Sequence, residues 1–305
     1  MNNSRRAFIR NSSLVVGGTM AFSNEVFAVK KTKQIVGLQL YSVRDDMKKD
    51  PLNTLKQLAA MGYKNVEHAN YIDRKFYGYT ATEFKKILDD LGLKMPSGHT
   101  VMRPKHWDEV TKDFTAEWKY TVEDAKMVGQ RYVITPSFDE SLRKNYDSLM
   151  SLLDKFNKAG ELCKKMGLKF GYHNHDFEFK YSLNDKKIYD IILEHTDPSL
   201  VAQQIDIGNM LEAGGMALEI MKKYPGRFES IHIKDEVKSE NKGEMNGDLE
   251  STILGKGLVP VKQILDFARK SGGTKEFIIE QESYQGKTPL NCVKEDLAIM
   301  KSWGY

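Results

Sequence analysis

The sequence predicts a single-domain (β/α)8 TIM barrel. Strand-like and helix-like segments alternate from residue 35 to the end of the chain. Eight such units fit into about 270 residues, the usual size of this barrel. No linker, low-complexity run or composition break divides that stretch. Alternating strands and helices imply a parallel sheet. A doubly wound open sheet, the competing architecture, would carry a Gly-rich turn after its first strand, and "LQLYSVRDD" has no glycine.

The elements follow in order. "IVGLQLYS" reads as strand one. "DPLNTLKQLAAMG" reads as a helix with Pro51 near its start and Gly62 as its stop. "YKNVEHA" is strand two, and "TATEFKKILDDLG" a helix capped by Thr80 or Thr82 and stopped by Gly92. "LKMPSGH" is strand three. Trp107, Phe114, Trp118 and Val122 fall near helical spacing, so a long helix is expected over residues 107–129. "RYVITPS" is strand four, and "YDSLMSLLDKFNKAGELCKKMG" a helix. "LKFGYHNH" is strand five, "KIYDIILEHT" a helix, and "VAQQIDIGN" strand six. "GGMALEIMKKYPG" is a helix and "FESIHIKD" strand seven. A polar segment, residues 236–257, is expected to loop over the active end of the barrel. "VPVKQILDFARKSG" is a helix, "EFIIEQES" strand eight, and "PLNCVKEDLAIMKSWG" the closing helix.

Residues 1–28 stand apart. Ser4-Arg5-Arg6-Ala7-Phe8-Ile9-Arg10, a weakly apolar stretch from Leu14 to Phe22 and a cut after Ala28 read as a cleaved twin-arginine export signal. The mature protein, residues 29–305, is then expected in the periplasm. Of 305 residues, 40% are hydrophobic and 29% charged, ordinary globular values. The net charge of +4 comes from 46 basic and 42 acidic residues mixed along the chain, which gives no support to nucleic-acid binding. No apolar run is long enough for a membrane span. Cys163 and Cys292 lie in helical segments far apart and read as two buried free thiols.

The C-terminal ends of barrel strands converge on one site. Gln39 and Tyr41 end strand one. Glu67 and His68 end strand two, His99 strand three, and Thr135 strand four. His173 and His175 end strand five, with Glu178 just beyond. Asp206 ends strand six, before Asn209. His232 and Lys234 end strand seven, and Glu280 and Glu282 end strand eight. Each alone suits a satisfied rim residue. Together, Asp206, Glu280 and Glu178 would crowd three carboxylates against several histidines. Such a set needs a cation or a shared proton, so a divalent metal site or a metal-free acid/base cleft is expected.

Asp206 in "QIDIGN", His232 in "IHIKD" and Glu280 in "IIEQE" resemble the xylose isomerase-like TIM barrels, the sugar phosphate isomerase/epimerase superfamily. "GLQLYSVRDD", "GYKNVE", "YHNHDFEF" and "HIKD" are similar to an exported branch of it, and the likeness runs from residue 35 to about 303. The resemblance implies one divalent ion, Mn, Co, Zn or Mg, on Asp206, His232, Glu280 and a fourth ligand. Glu178 is the favoured fourth ligand and His173 the competing one. It also implies a carbohydrate substrate, with homo-oligomers common among relatives. His175 or Glu282 would take a proton next to a sugar carbonyl, with Lys234 steadying the charge and His173 in reach. Gln39, Tyr41, Glu67, His99 and Asn209 would contact the sugar.

An export leader favours a free over a phosphorylated sugar. Isomerisation or epimerisation through an enediolate is the first expectation. Elimination of the C1 group from a 3-keto-glycoside at the same site is the second. An exported sugar-binding protein without catalysis, using Tyr41, Trp107 and Tyr284 as platforms, is the reading from another class. A nuclease is disfavoured by seven histidines in all and by the charge balance.

Overall fold

The computed structural model describes residues 35–305. The export-signal reading therefore lies outside the described residues. Eight parallel strands close a barrel: β1 Val36–Gln39, β2 Asn65–His68, β3 Lys94–His99, β4 Tyr132–Thr135, β5 Lys169–His173, β6 Val201–Asp206, β7 Phe228–Ile233 and β8 Glu276–Ile279. Each strand pairs with the one before it, and β8 returns to β1 through Val36↔Phe277 and Leu38↔Ile279. Helices α1 Pro51–Met61, α2 Ala81–Asp90, α3 Ala116–Val128, α4 Tyr146–Lys165, α5 Ile188–His195, α6 Ala217–Lys223, α7 Val261–Phe267 and α8 Pro289–Ser302 follow the strands in turn. The expected (β/α)8 architecture is the observed one.

Local chemistry explains the punctuation. Pro51 opens α1 where its missing N–H costs nothing, and Gly62 ends it at φ 105°, a conformation glycine reaches without a Cβ clash. Thr80, rather than Thr82, caps α2: its hydroxyl takes the Glu83 N–H while the Glu83 carboxylate takes the Thr80 N–H.

Two expectations need correction. The helix expected over 107–129 begins only at Ala116. Before it, Trp107–Asp108 pairs antiparallel with Asp113–Phe114. The Asp108 carboxylate accepts the Val110 and Thr111 N–H groups and turns the chain there, with Lys112 at φ 53°. Trp107 and Phe114 meet edge to face across that ladder, with centroids 5.0 Å apart. Their apparent helical spacing was a cross-strand pair. The polar segment after β7 is likewise a hairpin, Asp235–Lys238 against Leu249–Thr252, with a short turn at Glu244–Asn246. Asp235 organises it by accepting the N–H groups of Gly255, Gly257, Val259 and Glu236.

Alternation along the strands splits the core in two. Outward residues such as Leu38, Val66, Phe170 and Ile231 pack under the helices. Inside the barrel, Tyr132, Ile134 and Ala202 form a small apolar plug. A Cβ on Gly171 would stand 2.4 Å from Ile134 Cδ1, so a larger residue there would have to push the Ile134 side chain aside. Above the plug the lumen turns polar. Both cysteines are buried and free, as expected. Among the described residues, no helix is long and apolar enough to cross a membrane.

Candidate active site

The upper lumen is built around Glu67, fully buried on β2. Its Oε1 accepts Gln39 Nε2 at 2.8 Å and faces His232 Nε2 at 2.6 Å and His99 Nε2 at 3.2 Å. Its Oε2 accepts Gln204 Nε2 at 2.9 Å and the Ser97 hydroxyl. Burial alone would raise this carboxyl. His99 and His232, with the hydrogen bonds from His232 and Ser97, outweigh burial and bring it to about 2. Glu67 is therefore a fixed anion beneath the site.

Above it, β5 to β8 each contribute one side chain. One ligand atom apiece from His173, Asp206, His232 and Glu280 lies within 4.8 Å of the others. The register sets Asp206 directly beside His232. His232 Nδ1 stands 3.1 Å from Glu280 Oε2 and 3.8 Å from Asp206 Oδ2. Burial opposes charge on His232, but Glu280 and Glu67 on either side push it up to about 10. Asp206 Oδ1 accepts the Gly208 and Asn209 N–H groups, while Oδ2 is buried without a hydrogen-bond partner. Burial raises the Asp206 carboxyl. Two histidines, two carboxylates and an orphaned carboxylate oxygen are a donor set that fits a divalent ion. His173 Nδ1 is engaged by Gln204 Oε1 at 3.1 Å, which would leave Nε2 for an ion. His232 Nε2, bound to Glu67, would leave Nδ1 for the ion in the same way.

The expectation that Glu178 is the fourth ligand is corrected. Strand alternation decides it: His173 points into the lumen and Tyr172 points out. Glu178, in the single helical turn Phe177–Lys180, follows Tyr172. It accepts the Tyr172 hydroxyl and, at 2.9 Å, the His175 N–H. It is fully buried on the helix side of β5, where burial pushes its carboxyl up to about 8 against those hydrogen bonds. His173 occupies the position that Glu178 was expected to fill.

The other expected residues divide. His99, His173, His175, Tyr41, Asn209, Glu280 and Glu282 line one cavity of 980 Å3. Gln39 and Glu67 do not. Gln39 spends its amide on Glu67 and its carbonyl on the Tyr41 N–H, 3.1 Å away, so both act through others rather than on a ligand. His68 faces outward against Phe76, with centroids 4.8 Å apart. Trp107 lines a separate cavity of 660 Å3 with Phe138 and Leu142. Tyr284 accepts Arg44 Nη1 at 2.9 Å outside the main cavity. Neither is a platform for the site.

His175 stands at the cavity with Nδ1 unpartnered, its ring centroid 5.2 Å from that of His173. Burial first, then the Lys234 and His99 charges, bring its imidazole to about 4. Across from it, Lys234 is fully buried among carboxylates. Its Nζ reaches Asn209 Oδ1 at 2.9 Å, Glu244 Oε2 at 3.0 Å and Glu282 Oε1 at 2.5 Å. Burial works against the ammonium, but Glu282 and Glu244 hold it well above its usual range. Glu244 comes from the hairpin turn after β7 and was missed in the sequence, because its position depends on how that hairpin folds. Gln204, Ser97 and Ser230 were missed too. Each lies two residues before a recognised strand-end residue, so alternation alone marks it as facing inward.

A model of the xylose isomerase-like TIM barrel matches residues 55–303. An inosose dehydratase of Clostridium beijerinckii is 27% identical over 271 residues, 82% of this chain and 84% of that one. The structure of a sugar phosphate isomerase/epimerase from Parabacteroides distasonis aligns with TM-score 0.75 and 27% identity, covering 90% of this chain and 100% of that one. An IolI protein with a zinc atom shares the fold at TM-score 0.66 and 12% identity, over 90% of this chain and 99% of that one.

Proposed function

We propose, for a chain that belongs to the xylose isomerase-like TIM barrel family, a metal-dependent lyase that removes a proton next to a sugar carbonyl and expels a β-oxygen substituent. The chain is an enzyme of that superfamily. One observation carries the reading: four side chains from four successive strands bring ligand atoms within 4.8 Å of one another. His173, Asp206, His232 and Glu280 would hold the ion. When bound, a divalent ion there polarises a carbonyl oxygen and so acidifies the neighbouring C–H.

The remaining steps belong to the chain itself. His175, a neutral imidazole lining the cavity, accepts the proton from the carbon next to the carbonyl. The C–H electron pair becomes the new C=C bond as the C–O bond to the leaving group breaks. The departing oxygen takes a proton relayed through Glu282 from the Lys234 ammonium paired with it. The products are an unsaturated ketone and an alcohol or water. Lys234 keeps Glu282 aimed at the cavity.

Sequence reasoning put isomerase or epimerase chemistry first. The inosose dehydratase relatives favour elimination. Isomerisation remains the second reading, supported by the Parabacteroides structures at 25% and 27% identity. It uses the same proton removal and returns the proton to another carbon. The twin-arginine pattern at residues 4–10 supports export to the periplasm and a free rather than phosphorylated substrate. The test is a nitrophenyl 3-keto-glucoside with Zn-, Mn- or Co-loaded protein in D2O. Nitrophenol release supports the lyase. Deuterium entering the keto sugar without release supports the isomerase. Neither event, with any of the three metals, sinks both.

A further inference from the structure

We infer that the site takes a two-ring glycoside, with one sugar over the four-residue cluster and a second ring in a distal subsite walled by Tyr71, Arg74 and Tyr120. This deepens the reading above and rests on it. The cavity runs without interruption from Glu280, His173 and His99 to Tyr120 and Thr121 on α3. Its 980 Å3 lies at the top of the range of about 300–1,000 Å3 that suits drug-sized ligands. A single hexose over the cluster leaves the far half to water.

That far half is a built wall. After β2 the chain forms a small antiparallel ladder, Tyr71–Ile72, Lys75–Phe76 and Tyr79–Thr80. Asp124 of α3 ties this ladder to the barrel: it accepts the Tyr71 hydroxyl at 2.7 Å and two Arg74 N–H groups at 2.8 and 3.0 Å. The Arg74 guanidinium then lies over the Tyr120 ring, 4.2 Å from its centroid. The wall is thus fixed before any ligand arrives, which lowers the ordering cost of binding. Tyr71 and Tyr120 offer apolar ring surface, and Asn70, Asp73 and Thr121 offer planar or hydroxyl hydrogen-bonding groups to the same cavity. C–H faces beside rings of hydroxyls are the surface of a sugar, and this pairing suits them.

The charges point to a neutral second ring. Arg74 is matched by Asp124, and Lys105 by Glu117 at 2.6 Å. Arg103 alone among the cations of this end has no ion-pair partner among the described residues, and it sits at the rim shared with the neighbouring cavity. In the elimination reading the second ring is the leaving group, so the distal subsite selects what is expelled.

Isothermal titration of Zn-loaded protein tests this, with glucose set against the glucose disaccharides trehalose, sophorose, laminaribiose, maltose, cellobiose and gentiobiose. At least one disaccharide is expected to bind tenfold or more tightly than glucose. Tyr120→Ala is expected to bring that ratio close to one while bound zinc and Tm match the parent. Asp73→Ala, at an exposed turn, provides the same comparison if Tyr120→Ala does not fold. Glucose binding with no disaccharide preference overturns the subsite and leaves the proposed function standing. A preference that survives both substitutions overturns its location. Protein that holds no zinc and binds neither sugar overturns the proposed function, and the subsite falls with it.

Discussion

Glu67→Gln is the sharpest probe of the lumen. The native carboxylate receives donors on both oxygens: Gln39 and His232 on Oε1, and Gln204 and Ser97 on Oε2. An amide can keep only one oxygen. If that oxygen faces His232, the new NH2 group meets Gln204 Nε2, a donor against a donor at a native separation of 2.9 Å. If it faces Gln204, His232 loses the acceptor that fixes its Nε2 proton and so its ligating Nδ1. Either way at least one buried hydrogen bond to a charged group is lost, about 1.5–3 kcal/mol of stability for each. Partners one shell out from a metal ligand are worth roughly 10–100-fold in affinity, or about 1.4–2.7 kcal/mol. The assay is competition for Zn2+ against a chromophoric chelator, beside a thermal melt. A weakening of the zinc Kd by 10–100-fold with a lower Tm is expected. A folded Glu67→Gln protein with parental zinc affinity would show that Glu67 does not orient His232, and the account of the lumen would fail.

Three further outcomes follow from the geometry. His173→Ala is expected to lose bound metal in elemental analysis, whereas Glu178→Gln keeps it and costs on the order of 1–3 kcal/mol of stability through the disturbed Tyr172 and His175 hydrogen bonds; the opposite pattern would restore Glu178 as the ligand. Asp296, in α8, has its carboxyl raised by burial from 3.8 to about 7, so the folded chain holds its proton where the unfolded chain releases it. Its contribution is fully present below about pH 4 and is lost as pH rises to about 7, on the order of 2–4 kcal/mol in all; Asp296→Asn should flatten that part of a stability-versus-pH curve from denaturant melts, and an unchanged slope would refute the assignment. Gly98→Ala places a Cβ 1.9 Å from His68 Cδ2 and 2.7 Å from Gln130 Nε2, a clash worth about 1–3 kcal/mol or more; His68→Ala in the same chain should recover part of the lost Tm, and no recovery would mean that another contact forbids the side chain.

The barrel and three of its four cluster residues were legible because both depend on local pattern. Strands and helices alternate with clear stops, and Asp206, His232 and Glu280 each lie within a residue of the end of a strand whose fold position follows from that count. What escaped depends on direction rather than order. Glu178 has the right chemistry and lies close in sequence, yet the chain turns it to the helix side of β5, where it meets Tyr172. The two-residue period already placed His173 inward, so alternation was the better guide than the preference for a carboxylate. Glu67 and Gln39 were seen at strand ends but given to the substrate, because a sequence shows that a side chain points into a lumen without showing how deep it lies. Glu244 was out of reach altogether. It is brought to Lys234 by a hairpin whose turn holds Met245 and Asn246 at φ 53° and 61°, and no periodicity announces such a turn. The residues that hold charge in this site were thus readable from the strands, while those that aim it were set by loops and by packing depth.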